Sequence, residues 1–309
     1  MASFIPPRIK GRLHALMSYI RMLFIVLYFV FSFAKFDLVV VDQITLPIPI
    51  LRLFKYKVLY YCHFPEALLN DNKRTFLVVI YRKIIDTIEI LCMYLANVIC
   101  FNSEYTRSSL EATFPSMRKW KGGKYIVYPC MQAPPAKVMP QPQLNSLISP
   151  KEYLLTVNRF ETRKRLDLCL EAFALAIKKC EKLRNDQNFK LVLAGGLDAK
   201  NADALVCRRE LADLAKKLQI DHRVVMRENI TQEEKEYLLS NSYLFLYTPP
   251  NEHFGIGPIE AMIRSVPAVG INNGGPKETI ENGETGFLLR SDPAEWSDCI
   301  VDMVSRLIY

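Results

Sequence analysis

The sequence lacks the short motifs that mark several common classes of binding site. Its eight cysteines form no Cys-x-x-Cys pair, and several lie in apolar runs, which favours buried reduced thiols over disulfides or metal ligands. There is no Gly-x-Gly-x-x-Gly turn, no Walker loop and no internal repeat. No nucleic-acid-binding module is recognisable either. The net charge of +8 therefore indicates a phosphate or membrane partner, or ordinary solubility, and no nucleic acid.

Acidic residues are absent from residues 1–35, which combine an apolar run at 22–34, interrupted only by Ser32, with the basic residues Arg8, Lys10, Arg12, Arg21 and Lys35. A helix of thirteen residues spans about 20 Å, which is short of the roughly 30 Å hydrocarbon core of a bilayer. Three interpretations fit this pattern: a secretory signal, a buried core helix, and a helix that lies in an anionic membrane surface.

The remaining chain alternates short apolar runs with helix-compatible stretches, which predicts an α/β fold with parallel sheets. A proline-rich run at 129–150 predicts a linker between a first domain, 36–128, and a second domain, 151–309. Thr231 and Glu234 predict a capping box at one helix start. The predicted strands lie at 37–41, 57–61, 97–101, 124–128, 153–158, 191–196, 223–226, 244–247 and 268–271, with a last one ending at Leu289.

Residues 244–289 repeat one pattern twice: a buried strand, a glycine-containing loop and a short helix. Glu252 lies in the first loop and Glu260 in the helix that follows it. Ionised carboxylates only accept hydrogen bonds, which suits polyhydroxylated ligands, although acidic residues are also favoured at helix starts for structural reasons. We favour a binding site because both loops leave the carboxyl ends of strands in one sheet. The loop glycines are Gly255, Gly257, Gly274 and Gly275.

Basic residues cluster in the loop that follows the predicted strand 153–158. Arg159 and Lys164 flank this loop, where a planar guanidinium and an ammonium would suit a diphosphate. A solvated basic loop is the structural alternative. We assign Arg163 and Arg165 to the protein surface.

His63 follows the predicted strand 57–61 and lies at the carboxyl end of the first sheet. A histidine in this position either caps the strand or belongs to a site, and the residue alone does not decide between the two.

Four segments together resemble a known family. The run EHFGIGPIE, from Glu252 to Glu260, resembles the Glu-x7-Glu signature of retaining nucleotide-sugar glycosyltransferases with two Rossmann-like domains, the GT-B fold. The longer segments resemble the dolichyl-linked-oligosaccharide α-1,3/1,6-mannosyltransferases of N-glycan assembly, and the resemblance extends from about Phe36 onward. These segments are YYCHFPEALL, TVNRFETRKRLDL, YTPPNEHFGIGPIEAM and NNGGPKETIENGETGFLL.

The resemblance implies roles for the candidate residues in transfer of mannose from GDP-mannose. Glu260 would bind the ribose hydroxyls and Glu252 the hydroxyls of the donor sugar. Arg159 and Lys164 would stabilise the departing diphosphate, and His63 would orient groups around the transferred sugar. The catalytic set is thus Glu252, His63, Arg159 and Lys164. Backbone amides and side chains near the donor would come from Phe254, Gly255, Ile256, Gly274 and Gly275.

The resemblance also implies partners and a location. The acceptor would be Man-GlcNAc2-diphospho-dolichol, which receives an α-1,3 and then an α-1,6 mannose at the cytosolic face of the endoplasmic reticulum membrane. A lipid acceptor favours the membrane-associated interpretation of residues 1–35, and other mannosyltransferases of the pathway are candidate partners. No Asp-x-Asp motif is present, so we expect neither a catalytic metal nor another cofactor.

Several features depart from the family pattern. The strand and Gly-Gly-x-x-Glu loop that open the family's first domain are not found, and neither is the C-terminal helix that packs back across both domains. Gly257 replaces a bulkier apolar residue. We therefore expect a chain truncated at both ends with an incomplete first Rossmann-like domain. The alternatives are a non-catalytic nucleotide-binding form or membrane-associated partner, and a transferase for another nucleotide sugar.

Overall fold

The computed structural model describes residues 14–32, 36–65, 76–135 and 138–306. The chain divides into two compact units, Met1–Pro129 and Cys130–Tyr309. Two sets of residues singled out from the sequence lie outside the described residues. They are the basic residues Arg8, Lys10, Arg12 and Lys35, and the end of the YYCHFPEALL segment from Glu66 to Leu69.

The first unit is built on a parallel sheet with the strand order β1-β2-β3-β4. Its strands are β1 (Leu38–Asp42), β2 (Lys57–Cys62), β3 (Val98–Phe101) and β4 (Gly123–Ile126). The described helices are α1 (His14–Phe31), α2 (Pro47–Leu53), α3 (Phe76–Met93), α4 (Glu104–Thr113) and a 3-10 helix, Pro115–Lys119. The strands point their fully buried side chains, such as Tyr60, Ile99 and Phe101, into one core with Ile48 of α2 and Met93 of α3.

Helix α1 is longer than the apolar run that predicts it. Val26 and Val30 are buried in the core of the first unit, so part of the helix packs as the buried-helix interpretation expects. Another set of large apolar side chains on α1 recurs every three or four residues and is 37–63% exposed: Leu16, Ile20, Leu23, Leu27 and Phe31. Among the described residues, none of the helices has both the length and the apolar character needed to cross a bilayer.

The second unit is built on a parallel sheet with the strand order β10-β9-β8-β5-β6-β7. Its strands are β5 (Tyr153–Val157), β6 (Lys190–Gly195), β7 (Val224–Glu228), β8 (Leu244–Tyr247), β9 (Ala268–Ile271) and β10 (Gly286–Leu289). Counted from β5, this is the 3-2-1-4-5-6 order of dinucleotide-binding folds. The order reverses between β5 and β8, and ligands of such sheets bind outside the carboxyl ends of the strands at this point.

Helices cover both faces of this second sheet. They are α5 (Pro142–Asn145), α6 (Leu166–Lys179), α7 (Glu181–Asn185), α8 (Ala202–Lys217), α9 (Gln232–Asn241), α10 (Ile256–Met262), α11 (Pro276–Thr279) and α12 (Pro293–Ser305), with 3-10 helices Thr162–Lys164 and Asp221–Arg223. One core lies between the sheet and helices α6 and α12, and another lies on the opposite face. Strands buried on both faces are apolar at nearly every position, which explains why these strands appear in the sequence as short continuous apolar runs.

The proline-rich run at 129–150 contains α5 and packs onto the second unit. Leu144 and Ile148 are buried in the same core as Tyr153 and Leu238. The Tyr237 hydroxyl also donates a short hydrogen bond to Asn145 Oδ1. This part of the chain therefore lies against the second sheet.

Candidate functional site

Lys164 and Glu252 form an ion pair where the strand order of the second sheet reverses. Lys164 ends the 3-10 helix that follows β5, and Glu252 lies in the loop that follows β8. Lys164 Nζ and Glu252 Oε2 are 2.5 Å apart, and the two side chains are only 13% and 21% exposed. The pair thus joins two predicted site residues, 88 positions apart in the chain, at the edge where ligands of this sheet class bind.

The charge on Lys164 controls the ionisation of Glu252. Burial by itself would raise the pKa of the Glu252 carboxyl, but the charge and hydrogen bond of Lys164 outweigh it, with smaller contributions from His253 and Arg163. The pKa of Glu252 therefore lies below its ordinary value, and the carboxylate is ionised at neutral pH. Burial raises the pKa of the nearby Tyr247 hydroxyl well above its ordinary value, and the charges of Glu252 and Glu260 raise it further.

Hydrogen bonds tie the loop around Glu252 to its neighbours. The Thr248 hydroxyl donates to the carbonyl of Lys164 over 2.7 Å. The amide of Gly275 donates to the carbonyl of Glu252, also over 2.7 Å. These bonds connect the loops after β5, β8 and β9, so the second glycine loop supports the first loop directly.

Gly274 and Gly275 allow the two loop backbones to approach closely. Gly274 has a φ of +69°, and a Cβ at this position would lie 2.5 Å from the carbonyl oxygen of Glu252. A Cβ on Gly275 would lie 2.2 Å from the Cα of Phe254. Both glycines are therefore required for packing against residues 252–254, whether or not their amides also contact a ligand.

Gly255 and Gly257 have separate local roles at the start of α10. Gly255 has a φ of +86°, in the left-handed region, and directly precedes Ile256, the first residue of the helix. A Cβ on Gly257 would lie 3.1 Å from the Tyr247 ring and 3.2 Å from the Phe245 ring. These two rings fill the space that the bulkier residue of the family pattern would need.

Glu260 lies on α10 and is paired with a residue of α9. Its Oε1 atom is 2.6 Å from Lys235 Nζ, and the two side chains are 19% and 23% exposed. Arg264 lies two residues beyond the end of α10, is 5% exposed at its side chain and forms a second link to α9 by binding Glu236. Lys235 was not identified from the sequence because it is one of several charged residues on α9, and the capping box of Thr231 and Glu234 at the start of that helix has a structural role.

Arg159 lies at the carboxyl end of β5 and is paired with an acidic residue. Its NH1 atom is 2.9 Å from Glu161 Oε1, and its side chain is 61% exposed. Arg163 binds the other oxygen of Glu161 over 2.6 Å, so Glu161 holds two arginines of this loop. Arg159 also lines a shallow cavity of about 270 Å³ with Gly196 and Asn229, beside the carboxyl end of β6.

His63 belongs to the first unit and lies directly after β2. Its Nε2 atom is 2.9 Å from Asp42 Oδ1, and the side chains are 49% and 68% exposed. Its ring also contacts Tyr61 in an edge-to-face arrangement with the ring centroids 4.9 Å apart. Asp42 ends the adjacent strand β1, so the parallel register brings the two residues to one edge. Asp42 lies outside every motif that is recognisable in the sequence.

The structure brings most of the predicted donor-binding residues together in the second unit. Lys164, Glu252 and the glycine loops form one connected group, and Glu260 follows on the next helix. The roles assigned to these residues, to Arg159 and to His63 remain predictions.

A family profile and curated relatives identify the evolutionary origin of this arrangement. The profile described as "Glycosyl transferases group 1" matches residues 142–305. The chain is 34% identical to alpha-1,3/1,6-mannosyltransferase ALG2 of Rhizomucor pusillus, over 97% of this chain and 70% of that protein. It is 36% identical to ALG2 of Dictyostelium discoideum, over 92% of this chain and 71% of that protein. The chain belongs to the ALG2 family. The human ALG2 protein is similar to the same extent, with 34% identity over 94% of this chain and 70% of its own length.

Solved structures support the fold assignment for this ALG2-family chain. An α,α-trehalose-phosphate synthase from Burkholderia xenovorans superposes with a TM-score of 0.73 at 10% identity, over 94% of this chain and 70% of that one. The Anabaena HepE structure, solved with UDP, gives a TM-score of 0.69 at 16% identity, over 92% and 73% of the two chains. Together with the family profile, these similarities confirm the α/β fold of GT-B glycosyltransferases.

Proposed function

We infer that this chain transfers mannose from GDP-mannose to Man-GlcNAc2-diphospho-dolichol, first in α-1,3 and then in α-1,6 linkage, with retention at the anomeric carbon. As a member of the ALG2 family, it is a mannosyltransferase of lipid-linked oligosaccharide synthesis for N-glycosylation. The family relationship disfavours the non-catalytic alternative. The observation that carries the proposal for the site is the ion pair between Lys164 and Glu252 at the switch point of the second sheet.

The pair suits a donor that carries both a diphosphate and sugar hydroxyls. In our proposal, Lys164 and Arg159 supply positive charge where negative charge develops on the departing diphosphate. Glu252 accepts hydrogen bonds from hydroxyls of the donor sugar. A carboxylate with a lowered pKa is a weak base, so Glu252 is poorly suited to remove the acceptor proton. We assign that proton to an oxygen of the leaving phosphate on the same face of the sugar.

We also propose that the chain's own cations replace a divalent metal at the diphosphate. Lys164 and Arg159 follow the same strand, β5, and would approach the diphosphate from one side. If so, turnover in excess EDTA equals turnover with added Mg²⁺. A loss of turnover in EDTA that Mg²⁺ restores would contradict the proposal.

A donor panel tests the proposed specificity against the alternative of another nucleotide sugar. Calorimetric binding of GDP and of UDP is measured first, and transfer from GDP-mannose and from UDP-glucose is then compared on one lipid-linked acceptor. We expect GDP to bind more tightly and only GDP-mannose to yield product. Product from UDP-glucose, with tighter binding of UDP, would overturn the donor assignment.

We propose that the first unit attaches to the cytosolic face of the endoplasmic reticulum membrane, where its acceptor and the other mannosyltransferases of the pathway would be located. Exposed apolar side chains on α1 support this proposal, because a contiguous apolar surface marks an interaction site. Helix α3 also carries exposed apolar side chains, namely Val79, Ile80 and Ile84, which are 43–55% exposed. Such surfaces suit helices that lie in the membrane interface.

The paired substitution of Ile20→Ser and Leu27→Ser is expected to weaken binding to anionic vesicles at least about tenfold, since burying one such side chain contributes about 1.5–3 kcal/mol. Flotation with phosphatidylserine-containing vesicles measures this change. Leu205→Ser with Val206→Ser, on exposed positions of α8 in the second unit, is the matched control and should float like the unaltered chain. Equal flotation of both paired variants would contradict attachment through α1.

A further inference from the structure

The ion pair between Lys235 and Glu260 is not needed to hold α9 and α10 together. Arg264, two residues beyond the end of α10, already connects this segment to α9 through three hydrogen bonds to Glu236. Its Nε lies 2.9 Å from Oε2, and its NH2 lies 2.7 Å from Oε1 and 2.6 Å from Oε2. Arg264 also donates to the backbone carbonyl of Glu260. Lys235 therefore acts on the Glu260 side chain, while Arg264 holds the backbone.

The position of Glu260 connects it to the candidate site. Glu260 is eight residues beyond Glu252, on the helix that the Glu252 loop leads into. The hydroxyl of Tyr247 lies close enough to both carboxylates for their charges to act on it. The two acidic residues thus share one electrostatic environment at the carboxyl edge of β8.

A lysine paired with Glu260 would have two effects on an anionic donor. The contact between Lys235 Nζ and Glu260 Oε1, at 2.6 Å, fixes the orientation of the carboxylate before a ligand binds. Less side-chain entropy is then lost when Glu260 Oε2 binds the ligand. The ammonium also balances the carboxylate charge, which would otherwise repel a diphosphate nearby.

We propose that Lys235 is a positioning residue of the donor site, which holds Glu260 so that its Oε2 atom accepts hydrogen bonds from the ribose hydroxyls of the nucleotide sugar. This inference rests on the proposed function, because it takes Glu260 as the ribose-binding group. Lys235 itself touches Glu260 and does not contact the reacting atoms.

The test compares Lys235→Met, Lys235→Arg and the matched control Glu236→Gln, which weakens the neighbouring link to Arg264 by removing the carboxylate charge. Donor KM and kcat are measured with GDP-mannose, and Kd is measured with GDP alone. We expect Lys235→Met to raise the donor KM and the GDP Kd about tenfold, the effect of a lost hydrogen bond to a charged group, with kcat within about twofold. Lys235→Arg should restore both constants, and Glu236→Gln should lower only the melting temperature.

The KM for a donor analogue distinguishes a positioning role of Lys235 from a purely structural role. With a GDP-mannose whose ribose lacks the 2′ and 3′ hydroxyls, Lys235→Met should produce no further rise in KM. Unchanged KM and Kd in Lys235→Met, or equal rises in Lys235→Met and Glu236→Gln, would overturn the proposal.

The outcomes also separate this inference from the proposed function. If the unaltered chain binds UDP in place of GDP, the donor assignment fails. The inference about Lys235 is then decided by comparing Lys235→Met with the unaltered chain in the same way, with UDP in place of GDP. If neither nucleotide binds, both proposals fall.

Discussion

Replacing Lys164 with Met is expected to reduce kcat at least about a hundredfold, the loss seen when one preorganised charge-stabilising donor is removed from a transition state. The change removes a cation from the proposed diphosphate position. It also leaves the Glu252 carboxylate, which is 21% exposed, without its partner at 2.5 Å. Steady-state transfer from GDP-mannose to a lipid-linked acceptor measures the loss.

Arg163→Met is the matched control for this prediction. Arg163 is a cation of the same loop, but its side chain is 58% exposed and pairs with Glu161, so kcat should stay within about threefold because an exposed pair contributes little. A Lys164→Met variant with a kcat within tenfold of the unaltered chain would contradict the proposed role of Lys164.

The same substitution has a defined pH dependence. The pKa of Glu252 is lowered below its ordinary value of 4.5, so in the unaltered chain the ionised carboxylate contributes stability that is present above pH 4.5 and is lost as the pH falls through the folded-state pKa. Without Lys164, burial should raise the pKa instead, and this group then contributes stability at low pH that is lost as the pH rises. The difference in unfolding free energy between the unaltered chain and Lys164→Met should therefore be larger at pH 7 than at pH 4. Denaturant unfolding of both chains at the two pH values measures this difference. An equal difference in unfolding free energy at both pH values would contradict the prediction.

Replacing Gly274 with Ala should reduce both stability and activity. The residue would adopt a left-handed conformation that costs about 1–2 kcal/mol, and its Cβ would lie 2.5 Å from the carbonyl oxygen of Glu252. Relief of that contact displaces the Glu252 loop. We expect about 3 kcal/mol of lost stability and, because a 1 Å misplacement is costly, about a hundredfold loss in kcat/KM. Denaturant unfolding and steady-state kinetics measure the two effects.

A substitution at Gly283 is the control that separates the free-energy cost of the left-handed conformation from the cost of the steric clash. It has a φ of +88°, but a Cβ there would have no atom within 4 Å. Gly283→Ala should therefore lose only about 1–2 kcal/mol and retain full kcat/KM. If Gly283→Ala and Gly274→Ala reduced activity equally, the proposed support of Glu252 by the second glycine loop would be wrong.

Local features of the fold could be predicted from the sequence because they depend on neighbouring residues. Each predicted strand overlaps a strand of the structure. Thr231 and Glu234 form the predicted capping box at the start of α9. The glycine loops and their acidic residues were also recognisable, since a turn between a buried strand and a helix has a strict local pattern.

Contacts between distant segments could not be predicted in the same way. The Lys164–Glu252 pair depends on β5 and β8 being neighbours, which follows from the sheet order and not from local periodicity. Glu161 and Lys235, the partners of Arg159 and Glu260, lie in loops and helices whose charged residues normally face solvent. For such residues, composition and spacing do not distinguish a partner in a site from a surface charge.

The most direct test of the account is GDP-mannose-dependent elongation of a phytanyl-linked or dolichyl-linked Man-GlcNAc2-diphosphate by this 309-residue chain, beside a Glu252→Ala control. We expect two added mannoses, one α-1,3-linked and one α-1,6-linked, and loss of both in the control. Absence of elongation by a folded chain that binds GDP, or equal elongation by the control, would contradict it.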